Sequence, residues 1–345
     1  MTSRTSRSSR NDDDTPIAET PSGAAPTAHG APTAHTRSAA YRDLRAELAA
    51  LTTEAFRPEL SEIDRLPTLE IAKIMNGEDA TVPSAVAAQL PRIAAAIDDT
   101  AARMSRGGRL VYAGAGTAGR LGILDASECP PTFNTDPSEV VGLIAGGPSA
   151  MVTSIEGAED SKELAAADLD GLGLTADDVV VGISASGRTP YAIGAVEHAR
   201  AHGALTIGLS CNADSALAAA ADHGIEIVVG PELLTGSTRL KAGTAQKLVL
   251  NMLSTITMIR LGKTYGNLMV DVRASNDKLR ARSRHIVALA TGAPDDQIEA
   301  ALSAADGEVK TAILIILADV DAATATRLLT KAGGHLRSAI NSADA

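Results

Sequence analysis

Tryptophan is absent from this chain, and all aromatic residues together make up 2% of it. No aromatic platform is available for stacking sugars or bases, so the core has to be built from Ala, Val, Leu and Ile. Cysteine occurs only at Cys129 and Cys211. Two residues so placed make neither a disulfide framework nor a zinc site, which leaves a reducing compartment as the expectation and small core residues as their role. Long apolar runs are missing as well. The longest, "AILIILA" at Ala312 to Ala318, falls short of the ~18 residues of a membrane helix. The expected location is cytoplasmic, with no membrane partner. Positive charge is also in deficit: 31 Lys and Arg stand against 42 Asp and Glu, a net charge of −11. Such a surface repels phosphate backbones and excludes nucleic acid as a partner. Any bound phosphate must be small and held by local dipoles.

What is present is a chain of 345 residues, 45% hydrophobic, with room for one large or two modest domains. Residues 1–40 are Ser-, Thr-, Pro- and Gly-rich and read as a disordered tail. They lack the apolar stretch of a signal peptide, and Asp12 to Asp14 argue against a transit peptide. Residues 41–99 read as an N-terminal helical segment: "YRDLRAELAAL" spaces leucines at helical intervals, and "VPSAVAAQLPRIAAAIDDTAARM" is helical with an interruption near Pro91. From 100 to 275 the texture is α/β. The runs "RLVYAG", "EVVGLIAG", "DVVVGISAS", "ALTIGLS" and "IEIVVG" alternate with helical stretches, the pattern of a five-stranded parallel sheet with helices on both faces. A long helix follows, with Leu248, Met252, Leu253 and Ile256 as its expected buried face. Residues 276–345 are expected to form a compact C-terminal group of three short helices, with breaks at Thr291 to Pro294 and Asp306 to Gly307.

Each strand run ends in Gly or Ser, and in open α/β sheets the ligand crevice lies beyond the carboxyl ends of the strands. The first run leads into Gly114, Gly116 and Gly119, a literal G-x-G-x-x-G. A dinucleotide fold also needs an acidic residue at the end of its second strand. Here that strand ends in Gly146 and Gly147, and Glu139 lies at its other end, so no nucleotide cofactor is expected. The third run leads into "SASGRTP" and a further helix. Ser184, Ser186 and Thr189 offer hydroxyls beside the N–H groups of a helix N-terminus, a seat for one phosphoryl group without Lys or Arg. Taken singly, these hydroxyls are also good helix caps. Two neighbouring loops on one sheet edge point to a shared anion.

The pairing of "GAGTAGR" with "SASGRTP" resembles the sugar isomerase (SIS) domain, a flavodoxin-like sheet that binds phosphosugars. More specifically, "GAGTAGRLGILDASECPPT", "IEGAEDS", "SASGRTPY", "GSTRLKAGTAQKLVLNMLST" and "GNLMVDV" resemble the N-acetylmuramic acid 6-phosphate etherase family. The likeness runs from about Thr53 to the C-terminus and includes "EIDRLPTLEI" and "GEDATVP". It implies a homodimer acting on a small phosphosugar in cell-wall amino-sugar recycling, and a phosphate seat made by Gly116, Thr117, Ala118, Ser184, Ser186, Gly187 and Thr189. Lys241, with Arg239 beside it, would add positive charge. The family commonly carries Ser where this chain has Ala118, so one hydroxyl is missing. By the same resemblance the C-terminal helices are similar to a small ubiquitin-associated-like bundle, read here as a packing or dimer element.

The implied reaction cleaves an unactivated ether. Opening the sugar to its aldehyde makes the C2 proton acidic, so a base can remove it, lactate can leave from C3, and water can add to the unsaturated aldehyde. Two carboxyls in unlike environments suffice, with no metal and no cofactor. The resemblance assigns Glu128 in "DASECPPT" as the acid and Glu156 in "IEGAEDS" as the C2 base. Glu128 lies where Pro130 and Pro131 are expected to end a helix, and the negative end of a helix dipole disfavours an anion, which suits a proton donor. Glu156, Glu159 and Asp160 would otherwise read as a solvated acidic run. If 117–128 is one helix, Glu128 stands about 16 Å from Thr117. Either Gly119 and Gly122 let the segment bend, or Glu128 serves a neighbouring subunit. A non-catalytic phosphosugar sensor, as in the related glucokinase regulatory protein, and an aldose–ketose isomerase remain the alternatives.

Overall fold

The Val- and Ile-rich runs form one parallel sheet in the order β2-β1-β3-β4-β5, with β1 at Leu110–Gly114, β2 at Val140–Ile144, β3 at Val179–Ile183, β4 at Leu205–Ser210 and β5 at His223–Glu226. The computed structural model describes residues 45–46, 48–153, 155–272 and 277–343. The tail read at 1–40 and most of the helix read at Tyr41 to Leu51 lie outside them. The three inner strands are buried throughout, as a sheet covered on both faces requires. Side chains alternate strictly along β1. Leu110 and Tyr112 enter a core shared with Ile93, Ile97, Val249 and Leu253, while Val111 and Ala113 enter one shared with Leu169, Tyr191 and Ala195.

α1 (Thr68–Asp79) buries no residue; the first of these cores is roofed by α2 (Val82–Ala87), α3 (Leu90–Met104), α4 (Gly116–Phe133) and α8 (Lys241–Arg260), and α5 (Lys162–Gly171) and α6 (Pro190–Ala201) roof the second. α7 is the short helix Ala216–Ala220. The interruption expected near Pro91 is there. The break falls at Ala88 and Gln89, and Pro91 sits in the first turn of α3, where its missing N–H costs nothing. The fifth strand lies earlier than "IEIVVG" because pairing with β4 stops at Glu226, although Ile227 and Val229 remain buried beyond it. On α8 only Leu253 of the four expected residues is buried. Leu248 and Met252 are half-buried and Ile256 is 37% exposed, because the inner face is rotated from the expected one and runs through Ala242, Ala245, Val249, Leu250, Leu253 and Met258.

The amino edge of the sheet is pinned by Asp178, whose buried carboxylate accepts from Arg109 Nη2 at 2.7 Å, from the Arg109 backbone N–H at 2.8 Å and from Thr175 N–H at 2.7 Å. Burial alone would raise this carboxyl, but the guanidinium and the N–H donors outweigh it and hold it below the usual aspartate range. A carboxyl lowered by folding contributes stability that is full above its unfolded value, about 3.9, and is lost as pH falls through the native one. Asp178→Asn is therefore expected to cost roughly 2 kcal/mol at neutral pH, with the gap to the parent closing in acid. Urea unfolding of both chains from neutral to strongly acidic pH measures this, and a gap independent of pH defeats the assignment.

After a small hairpin, β6 (Thr264–Tyr265) and β7 (Leu268–Met269), the C-terminal segment folds around its own core. Its described residues form five helices and not three: α9 (Asp277–Thr291), α10 (Asp295–Ala304), α11 (Val309–Ala318), α12 (Ala322–Lys331) and α13 (Leu336–Ala343). The expected breaks at Thr291 to Pro294 and Asp306 to Gly307 are there; the further ones fall after Asp319, in the left-handed conformation, and at Gly333 and Gly334. No helix among the described residues is long and apolar enough to cross a membrane.

Candidate active site

In the strand order 2-1-3-4-5 the chain leaves β1 in one direction toward β2 and later fills the other side with β3. The crevice at that reversal, at the carboxyl ends of β1 and β3, is where such sheets bind ligands. Gly114 is in register with Ile144 on one side and Ile183 on the other, so the two loops singled out in the sequence open side by side. Gly116 starts α4 and no side chain caps that helix. The first N–H groups, at Gly116, Thr117 and Ala118, have no intrahelical acceptor by construction. Ala118 is buried in the core, while Gly116 is exposed and Thr117 half-exposed.

The second loop is organised by its own hydroxyls. Ser184, 2% exposed at the end of β3, has its Oγ 2.8 Å from Thr189 Oγ1 and 3.2 Å from Ser186 Oγ, and accepts the Gly187 N–H at 3.0 Å. Thr189 occupies the N-cap position of α6 without a side-chain capping bond. The hydroxyls thus hold one another rather than the helix end. Gly187 is fixed in place by geometry: its φ is +69°, and a Cβ there would stand 2.4 Å from Ser215 Cβ.

Lys241 opens α8, whose Gly243 lies close to Thr117: a Cβ on that glycine would be 3.6 Å from Thr117 Cγ2. Its ammonium is buried and engaged, with Nζ 2.7 Å from Glu78 Oε2. The other Glu78 oxygen meets Arg57 Nη1 at 2.6 Å. Burial would raise the Glu78 carboxyl, and the two cations reverse this and hold it below its usual range. The helix start itself is capped by Glu232, 1% exposed, which accepts the N–H groups of Lys241 and Ala242 at 3.0 Å each. Arg239 is exposed.

The two proposed carboxylates sit on different elements. Glu156 is exposed on a turn after β2, ahead of a short 3-10 helix at Ala158–Asp160 and not on a regular helix face. Arg120 of α4 steadies this loop by donating to the Ala150 and Met151 carbonyls at 2.8 and 2.9 Å. Glu128 is exposed on α4, and α4 runs unbroken through Pro130 and Pro131 to Phe133. The prolines therefore do not end the helix, and Glu128 lies ahead of its last turn. Gly119 and Gly122 do not break it either. They let α4 lie directly on β1: a Cβ on Gly119 would be 2.6 Å from Gly114 O, and one on Gly122 2.9 Å from Tyr112 Cβ. Glu128 hence stays about 16 Å along the helix from Thr117. It lines a separate cleft of about 200 Å³ with Leu121, Leu124, Asp125, Lys247 and Asn251.

Comparison with known proteins decides the family. The family model of the glucokinase regulatory protein N-terminal SIS domain matches residues 92–200, and that of the SIS domain matches residues 161–256. A Streptomyces avermitilis protein named N-acetylmuramic acid 6-phosphate etherase is 84% identical over 303 residues, 88% of this chain and 97% of its own length. Proteins of the same name from Streptomyces coelicolor and Escherichia coli are 80% and 56% identical, over 88% and 86% of this chain and 97% and 99% of their own. This chain belongs to the N-acetylmuramic acid 6-phosphate etherase family.

In this member of the etherase family, one further group beside the Glu128 cleft escaped sequence reasoning. Asp125 is 5% exposed. Its carboxylate accepts from Tyr112 Oη at 2.7 Å, Asn251 Nδ2 at 2.6 Å and Ser254 Oγ at 3.2 Å, tying β1, α4 and α8 together one turn before Glu128. Burial, reinforced by the Asp125 charge, pushes the Tyr112 hydroxyl well above the usual phenol range. The same two causes push the Cys129 thiol up to about 12, and burial likewise raises Cys211. Both thiols are therefore protonated at neutral pH and serve as core residues.

Proposed function

We propose that this chain cleaves the D-lactyl ether of N-acetylmuramic acid 6-phosphate with water, giving N-acetylglucosamine 6-phosphate and D-lactate, in cytoplasmic recycling of peptidoglycan amino sugars. The observation that carries the reading is the 84% identity to a named etherase across 88% of the chain. The phosphate sits between the Gly116, Thr117 and Ala118 N–H groups and the Ser184, Ser186, Gly187 and Thr189 loop, and Lys241 adds a buried positive charge at the start of α8. With the sugar open, Glu156 takes the C2 proton. The C3–O bond then breaks, its electron pair leaves with lactate, and Glu128 protonates that oxygen. Water adds to C3 of the resulting enal, returning a proton to Glu128, and Glu156 gives its proton back to C2.

A single chain holds Glu128 too far from the phosphate loop, so the acid is lent by a second copy, and a homodimer is the working unit. Glu156 has two acidic neighbours, Glu159 and Asp160. Separate amide replacements of the three should abolish turnover only at position 156. Gly187→Ala is expected to weaken binding of N-acetylglucosamine 6-phosphate about tenfold, since a side chain in the left-handed region alone costs roughly 1–2 kcal/mol; isothermal titration reads the change, and unchanged affinity removes the loop from the site.

The reaction is tested by turnover in H2(18)O. Label at C3 of the sugar together with released D-lactate supports elimination and addition. Lactate carrying the label itself places the cleavage on the lactyl side and removes both carboxylate roles. Binding without lactate release assigns the chain to the sensors.

A further inference from the structure

At the far end of α6, away from the phosphate loop, "HARAH" places His198 and His202 one helical turn apart on one face. The neighbouring helix α5 brings Asp170 to them. Asp170 Oδ1 lies 2.8 Å from His198 Nε2, the two imidazole centroids are 4.3 Å apart, and one donor atom from each of the three residues lies within 4.8 Å of the others. We propose that Asp170, His198 and His202 form a binding site for a divalent transition metal of the zinc class.

Three features favour this beyond proximity. His202 Nδ1 lies 2.9 Å from the His198 backbone oxygen. A carbonyl only accepts, so Nδ1 carries the proton and Nε2 presents its lone pair, the outer arrangement that orients metal-bound histidines. His198 lies in the last turn of α6 and His202 is its C-cap, so the negative end of the helix dipole favours a cation there. The donor set of two imidazoles and one carboxylate is a zinc set with a fourth position for water. Ligand atoms on tetrahedral zinc stand about 3.3 Å apart, so the pair at 2.8 Å opens slightly and His202 closes in by side-chain rotation. Zinc takes the Nε2 lone pair of neutral His198 once its ring proton resides on Nδ1, the bond from Nε2 to Asp170 giving way to two bonds to the ion, which staples α5 to α6.

The site is about 14 Å along α6 from Thr189, so it is independent of the proposed reaction. The full-length chain, stripped with a chelator, is incubated with zinc chloride, passed through gel filtration and analysed for retained metal; cobalt(II) replaces zinc for visible spectroscopy. One zinc per chain and the intense absorption of tetrahedral cobalt are expected. His202→Ala and Asp170→Asn should each weaken zinc binding about tenfold or more, whereas His285→Ala, an exposed imidazole elsewhere, should leave it unchanged. Circular dichroism confirms that each variant is folded. No retained zinc, or retention undiminished in both His202→Ala and Asp170→Asn, overturns the proposal.

Discussion

Glu128→Gln is expected to lower lactate release about 10²- to 10⁴-fold, the range of a lost general acid, while leaving phosphosugar affinity nearly unchanged. The separation follows from the proposed reading: it assigns the phosphate to the loops after β1 and β3, and Glu128 stands about 16 Å down α4. A mixing experiment then locates the acid. Chains carrying Glu128→Gln keep an intact phosphate loop, and chains carrying Gly187→Ala keep the acid. If the acid acts across the interface, mixed dimers assayed well below substrate saturation are several-fold more active than either parent, because one of their two sites is whole. If it acts within its own chain, mixing restores nothing and the dimer argument fails.

Asp125→Ala is expected to cost about 3–5 kcal/mol of stability, because it strands the Tyr112 hydroxyl in the core and leaves Asn251 and Ser254 short of an acceptor. For a domain of this size that is a fall in Tm of about 10 °C, read by calorimetry. Tyr112→Phe alone should cost much less. Combined with Asp125→Ala it should cost less than the sum of the two, since the stranded hydroxyl is then gone. An additive pair, or a loss under about 1 kcal/mol, means that the network does not fasten α4 to α8.

The strands were legible because each is a short run of Val, Ile or Leu closed by Gly or Ser, and the position of the two loops because they follow two such runs. What escaped is whatever depends on partners distant in sequence. Asp125 reads as an ordinary polar position in "GILDASE" until Tyr112, Asn251 and Ser254 close around it. Lys241 reads as a free cation until Glu78 meets it. Helix ends misled for a local reason: Pro130 and Pro131 forfeit two N–H donors, but Cys129 and Phe133 are buried on the same helix and carry it on. The C-terminal helices were undercounted partly because one of them stops at Asp319, a left-handed residue that is not glycine and so lacks the usual signature.

The bonds that close the carboxyl edge of the sheet also set an order of events during synthesis. Asn212 Oδ1 accepts the Thr52 N–H across 160 residues, and Lys241 Nζ reaches Glu78 across 163. Residues 52–78 therefore leave the ribosome long before anything exists for them to close upon. Contacts so far apart in sequence form late. A nascent chain ending short of Lys241 leaves Glu78 and Arg57 without that lysine, and the long helix that adjoins Thr117 has yet to be made. Residues 52–78, translated well before α8, are thus among the last to be fastened, and the crevice is completed only once α8 has emerged.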